Sequence, residues 1–286
     1  MTKIRPDQFL IIIGAMKCAT TSLFEYLSQH PAICPSVVKE PEFFTEHQEH
    51  QLPVRSYEEI WPSFDTARHR YALEASVGYT KFPAERGVAE RMHEHGIRPR
   101  LIYVVRDPIE RIESHVNYIR TVTRKRISFE DSYPVDVSRY ATQLDPFVEV
   151  FGRDVIQVVD LKDMRADPAR TCTALYEWLG LESHPFKNMG AANQTTGLQR
   201  SHLDRLLASN RTLRRIGYTF PPEIRDRVRR GARKLFPYRH HELRIAPERV
   251  REVRALLRED MNRLAREWGV DVRPWGFYPP PMDCDN

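Results

Sequence analysis

Two short runs in this chain are apolar without interruption, and each gives way at once to polar residues. Phe9-Leu-Ile-Ile-Ile13 is rich in β-branched isoleucine, as expected of a strand buried on both faces of a parallel sheet. Gly14 ends it, and Thr20-Thr21-Ser22 leads into Leu23-Phe24-Glu25-Tyr26-Leu27, a helical pattern stopped at His30-Pro31. Strand, short loop, helix opens a βα unit. Arg100–Val105 repeats this, with a second apolar run followed by Arg106-Asp107-Pro108. Asp107 suits an N-cap and Pro108 a first helical position, so a helix is predicted from Ile109 to Arg120. A third strand is predicted at Val155–Val159, and Asp167-Pro168 opens a helix through Ala174–Leu179 to Gly180. Ala72–Ala75 reads as a further short strand.

The rest of the chain is mainly helical, with matching periodicity at Leu203–Leu213, Pro222–Leu235 and Pro247–Trp268. Lys187–Gln199 reads as a loop, and residues 276–286 as an extended tail. Repeated strand–helix alternation predicts an α/β fold with a central parallel sheet flanked by helices. No linker or internal repeat divides the 286 residues, so the expectation is one domain over 1–286 with a mainly helical C-terminal part.

Charge narrows the partners. The net charge of +5 favours anionic ligands without singling out nucleic acid. The arginine clusters at Arg225–Arg233 and Arg249–Arg258 are interleaved or flanked by Glu223, Asp226, Glu248 and Glu252, which reads as solvated helix faces. No nucleic-acid partner is expected. The cysteines at 18, 34, 172 and 284 have neither metal-ligand spacing nor the density of a disulfide scaffold. No signal peptide and no apolar stretch long enough to span a bilayer are read, so the expected location is the cytoplasm.

Three segments carry candidate chemistry. In Gly14-Ala-Met-Lys17-Cys-Ala-Thr20-Thr21-Ser22, a glycine after a buried strand precedes a lysine and then hydroxyls at a helix start. Free N–H groups, the helix dipole and Lys17 together form an anion grip. It is not a Walker A loop, because Lys17 follows Gly14 by three residues and no second glycine precedes it. The second segment is Arg106-Asp-Pro-Ile-Glu-Arg111-Ile-Glu-Ser114, with Arg106 at the carboxyl end of a strand, where open α/β sheets bind ligands. Arg106 and Ser114 can hold a second phosphate. The third is Lys39-Glu40-Pro41-Glu42-Phe43-Phe44, where a carboxylate sheltered by aromatic rings can act as a general base. Each has a plainer reading alone: Thr20 or Ser22 as a cap, Arg106 paired with a local carboxylate such as Asp107, and Lys39–Glu40 as a surface salt bridge.

In this order the three segments resemble the sulfotransferases that use 3′-phosphoadenosine 5′-phosphosulfate (PAPS), and most closely their bacterial members and glycosaminoglycan-type branch. The resemblance runs from Phe9 to Leu181 and includes Tyr140, Ala166-Asp-Pro168 and Trp178-Leu-Gly-Leu181, with a vaguer match to Trp275. It implies a P-loop-kinase-like fold and a metal-free transfer of a sulfuryl group to a hydroxyl, less readily an amine. Lys17, Thr20, Thr21 and Ser22, with N–H groups of Cys18 and Ala19, would bind the 5′-phosphosulfate. Arg106 and Ser114 would bind the 3′-phosphate, and Glu40 would be the base, with Lys17 stabilising the leaving charge. Glu42, His47, His50, Tyr79 and Tyr140 are candidates for shaping a site for a small-molecule or glycan acceptor.

The chain departs from the family in places. Ala75 stands where a lysine often follows the glutamate of Glu74-Ala-Ser-Val-Gly-Tyr79, and Glu42 stands where a histidine is frequent. Arg200 is the substitute for the basic loop that closes over the 3′-phosphate. A nucleotide-dependent phosphotransferase is the rival reading, with Asp160 as its metal-binding aspartate. The sequence specifies neither the acceptor nor the oligomeric state.

Overall fold

The computed structural model describes residues 4–46, 56–122, 127–185 and 243–278. The chain divides into two compact units, Met1–Gly190 with Arg244–Asn286, and Ala191–Leu243; every described residue but Leu243 belongs to the first. The helices expected over Leu203–Leu213 and Pro222–Leu235, the 187–199 loop and the end of the tail lie outside the described residues.

Among the described residues, five strands form one sheet: β1 (Phe9–Gly14), β2 (Ile33–Pro35), β3 (Tyr71–Ala75), β4 (Arg100–Val105) and β5 (Ile156–Asp160). Their order is β2-β3-β1-β4-β5, and every neighbouring pair is parallel. The two uninterrupted apolar runs occupy the centre, where both faces of a strand are covered. Leu10–Ile13 and Leu101–Val105 are wholly buried. Each such aliphatic side chain contributes roughly 1.5–3 kcal/mol relative to exposure, which sets the sheet's centre. At the edge, β5 buries Ile156 and Val159 but leaves Gln157 and Val158 partly exposed.

Around the sheet lie α1 (Thr20–Leu27), α2 (Val88–Glu94), α3 (Pro108–Val122), α4 (Ser132–Asp136), α5 (Tyr140–Phe151), α6 (Leu161–Ala166), α7 (Pro168–Trp178) and α8 (Pro247–Trp268). The expected caps are in place. Asp107 Oδ1 accepts from the Ile109 N–H at 2.8 Å, and Asp167 Oδ1 from the Arg170 N–H at 2.9 Å. The sequence pattern did not announce β2 or α5, because β2 has three residues and ends in Pro35, and α5 carries Pro146 inside it. Among the described residues, no helix is long and apolar enough to cross a membrane.

The topology fixes where a ligand can sit. From β1 the chain runs to β2 and β3 on one side, then crosses to β4 and β5 on the other. The loops after β1 and β4 therefore diverge at the carboxyl end of the sheet, leaving a crevice at the switch point.

Candidate active site

The loop after β1 is built so that its amide groups face outward. Gly14 ends the strand because nothing larger fits: a Cβ there would lie 2.1 Å from Thr80 Oγ1 and 2.8 Å from the Tyr103 ring. The Ala15 N–H donates to the Val104 carbonyl at 2.9 Å, tying the loop to β4. Lys17 and Ala19 then take left-handed backbone conformations, with φ of 72° and 58°. Such alternation turns successive N–H groups towards one side, as in an anion-binding nest. Among the described residues, the N–H groups of Lys17, Ala19, Thr20 and Thr21 meet no main-chain acceptor, whereas that of Cys18 is engaged by the Ala15 carbonyl at 3.1 Å. Ala19 is the N-cap of α1 and no side chain caps the helix. The capping reading of Thr20 and Ser22 is therefore not what the fold uses. Among the described residues, the hydroxyls of Thr20, Thr21 and Ser22 have no hydrogen-bond partner.

Arg106 emerges from β4 directly beside this loop. Its Nη1 donates to the Lys17 carbonyl at 3.2 Å, its Nη2 pairs with Glu110, and its Nε is buried without a partner among the described residues. The local carboxylate is thus Glu110, one turn into α3, and Asp107 serves as the cap instead. The Lys17 Nζ lies 4.0 Å from the centre of the Tyr118 ring and forms no ion pair among the described residues. Burial first and the Arg106 charge second lower its pKa to about 8, while Glu40 pulls the other way. Ser114 lies partly exposed in the second turn of α3, its hydroxyl unpartnered among the described residues. Cys18 is a wholly buried thiol whose pKa is pushed up to about 11, chiefly by burial.

The third segment closes the same crevice from the β3 side. The Glu40 N–H donates to the Ala75 carbonyl at 2.9 Å, which anchors the segment at the end of β3. The Glu40 carboxylate accepts from Lys39 Nζ at 2.5 Å, remains partly exposed and lies within electrostatic reach of Lys17. Glu42, by contrast, is buried, with its N–H on Ser76 Oγ at 3.0 Å and its Oε1 3.8 Å from Lys81 Nζ. Tyr79 and Tyr140 are both buried. The Tyr79 hydroxyl donates to Glu74 at 2.9 Å and the Tyr140 hydroxyl to the Arg106 carbonyl at 2.9 Å. They brace the site from behind. His47, His50 and Arg200 lie outside the described residues.

Lys17, Arg106 and Glu40 thus come together, with Ser114 on the adjoining helix. Sequence reasoning missed Lys81, His115 and Tyr118. The last two share a helix face with Arg111 at i, i+4 and i+7, a spacing visible in the sequence once α3 is known to border the loop. Lys81 carries no comparable signal.

Residues 10–185 match the family model described as the Sulfotransferase family. A bifunctional heparan sulfate N-deacetylase/N-sulfotransferase 1 of Caenorhabditis briggsae is 26% identical over 216 residues, 65% of this chain and 24% of that protein. A heparan sulfate glucosamine 3-O-sulfotransferase 3B1 of Mus musculus is 25% identical over 203 residues, 65% of this chain and 50% of the other. The chain therefore spans a quarter to a half of the length of these curated relatives. In fold it is similar to a crystal structure of a sulfotransferase from Alicyclobacillus acidocaldarius, with a TM-score of 0.66 at 21% identity over 96% of this chain and 100% of that one. With more than half of its length under that model, the chain belongs to the sulfotransferase family.

Proposed function

We propose that this protein transfers a sulfuryl group from PAPS to a hydroxyl of a sugar, lipid or secondary metabolite. The observation that carries this reading is the contact between its two anion grips: Arg106 is hydrogen-bonded to the main chain of Lys17 at the switch point of the sheet. The residues present suit such a donor. Unengaged N–H groups and hydroxyls surround the start of α1, Lys17 rests on an aromatic ring instead of a carboxylate, and the Arg106 Nε is buried without an acceptor.

When bound, PAPS supplies the sulfuryl group already activated as a phosphate–sulfate anhydride. Lys17 and the N–H groups of Ala19, Thr20 and Thr21 hold the 5′ end, with the hydroxyls of Thr20, Thr21 and Ser22. Arg106 and Ser114 hold the 3′-phosphate. Lys17 stabilises negative charge on the departing oxygen, a preorganised contact of a kind typically worth about 3–4 kcal/mol. Glu40 takes the proton of the acceptor hydroxyl, and its partial exposure leaves it open to an incoming substrate. The free, buried thiols of Cys18, Cys34 and Cys172 support a reducing, cytoplasmic setting. The phosphotransferase reading gains no support at Asp160, whose carboxylate caps α6 by accepting from the Lys162 N–H at 2.8 Å.

The test has two arms. The product nucleotide 3′-phosphoadenosine 5′-phosphate (PAP) should raise the melting temperature more than ADP with magnesium or duplex DNA does. Glu40→Gln should then lower turnover by roughly 10²–10⁴-fold while PAP affinity stays near that of the wild type. Stronger stabilisation by ADP with magnesium would reject the reading. A parallel loss of affinity and turnover in Glu40→Gln would move that residue from chemistry to binding.

A further inference from the structure

α3 presents Arg111, His115 and Tyr118 on one face, and the two ends of that row are accounted for. The Arg111 guanidinium is wholly buried, donating from Nε to Ser138 Oγ at 2.7 Å and from Nη2 to the Pro134 carbonyl. Tyr118 carries the Lys17 ammonium over its ring. His115 lies one turn from Arg111 and beneath Tyr118, and its imidazole is also wholly buried. Its Nδ1 meets Arg111 Nη1 at 3.4 Å. Arginine can only donate, so Nδ1 is the acceptor and the ring proton resides on Nε2. Among the described residues, that Nε2–H has no partner.

An orphaned buried donor costs free energy, and this one stands in an unusual field. Among the described residues, the charged groups that act on it are cations: Arg111 on its own helix, Lys81 beyond β3 and Lys17 in the loop after β1. Tyr133 of α4 packs edge-on against the ring, with centroids 5.6 Å apart. Burial and the three cations hold the imidazole neutral, with its pKa lowered to about 2. His115 is therefore neither an acid nor a base at working pH. It is a fixed donor in a positive field, and what such a place lacks is an anionic oxygen.

We propose that the His115 Nε2–H donates a hydrogen bond to a sulfuryl oxygen of bound PAPS, so that His115 and Lys17 hold the transferring group from two sides. The assignment rests on PAPS being the donor. His115 keeps its proton throughout, and the proton of the acceptor hydroxyl goes to Glu40. The 5′-phosphate is held by the loop after β1 and the 3′-phosphate by Arg106 and Ser114, so His115 discriminates the sulfated donor from its product.

Titration calorimetry without acceptor tests this. His115→Phe removes the donor and keeps a ring of similar size; it should leave PAP affinity unchanged and weaken PAPS about ten- to hundredfold. His115→Gln returns an N–H near the Nε2 position and should recover most of that loss, with kcat following the same order. Equal weakening of PAP and PAPS would make His115 a packing residue, and unchanged PAPS affinity would remove it from the site; either overturns the proposal alone. Should His115→Phe fail to fold, the Nε2–H resonance of ¹⁵N-histidine-labelled wild type must shift with PAPS and not with PAP, and no shift rejects the assignment. A wild-type protein blind to both nucleotides would overturn the sulfotransferase reading itself, and this one with it.

Discussion

Lys17 is held where its surroundings oppose its own charge. Its folded pKa of about 8 lies below the ordinary 10.5, so folding disfavours its protonated form at neutral pH and is relieved as pH rises from 8 towards 10.5. A bound anion reverses that balance. Below pH 8 the free protein already carries the charge that the proposed donor needs, whereas above it binding must take up a proton. The PAP dissociation constant should therefore be flat up to pH 8 and then rise by up to about tenfold per pH unit. Lys17→Arg stays charged throughout and should show no such rise. A flat wild-type profile to pH 10 would mean that Lys17 does not meet the nucleotide. At this scale the sequence singled out Lys17, Arg106, Ser114 and Glu40 by type and spacing, and the fold places Arg106 and Glu40 beside Lys17. It could not separate Cys18 from its neighbours, because which N–H turns inward depends on backbone angles. Nor did it distinguish partly exposed Glu40 from buried Glu42, two residues apart.

β3 carries a carboxyl inside the sheet, between β2 and β1. Glu74 sits opposite Ile11 of β1 and is wholly buried. Three hydroxyls converge on it: Tyr57 at 2.7 Å and Tyr79 at 2.9 Å on Oε1, and Ser76 at 2.7 Å on Oε2. Burial raises its pKa to about 7; the three donors oppose that rise, and the nearby Glu42 charge adds to it. A carboxyl whose folded pKa is raised contributes stability that is full below 4.5, fades as pH rises, and is gone above 7. For a shift of this size the loss is about 3 kcal/mol. Glu74→Gln keeps the shape: its Oε1 still accepts from both tyrosines, and the Ser76 hydroxyl can turn to accept from the amide. The wild type should lose stability in chemical denaturation between pH 5 and 8, and Glu74→Gln should not. Parallel profiles would mean that Glu74 stays ionised in the folded protein. The strand itself was legible at Ala72–Ala75. Its buried glutamate was not: Ser76 and Tyr79 lie two and five residues on, but that their hydroxyls turn back onto Glu74, and that Tyr57 from another segment meets it there, depends on the folded backbone.

Across the described molecule, helix α8 reaches the candidate site through a chain of contacts. α8 buries Val253, Leu257, Met261 and Leu264, and within this apolar stripe lies a buried aspartate, Asp260. The N-cap of α5, Arg139, offers no side-chain bond, and Asp260 takes its place from 118 residues away. Its carboxylate accepts from the Ala141 N–H at 3.1 Å, the Thr142 N–H at 2.9 Å and Thr142 Oγ1 at 2.8 Å. A carboxylate at a helix N-terminus is favoured by the dipole as well as by the bonds. α5 begins with Tyr140, whose hydroxyl holds the Arg106 carbonyl, and Arg106 holds the main chain of Lys17. The helical period of α8 could be read from its sequence, and so could the oddity of an aspartate on its apolar side; its partner could not, since no local pattern joins positions so far apart. Asp260→Asn should cost about 1–3 kcal/mol in chemical denaturation with an unchanged m-value. Because the contacts run on to Arg106, it should also weaken PAP about three- to tenfold under conditions where the protein is fully folded. Asp145→Asn breaks the ion pair of Asp145 with Arg263 between the same two helices, at 2.6 Å on their exposed side, and should leave PAP affinity unchanged. If Asp260→Asn loses stability but binds PAP as tightly as the wild type, α8 braces the fold without positioning Arg106. If both variants weaken PAP alike, any loosening of the α5–α8 pair disturbs the site, and the route through Tyr140 has no special place in it.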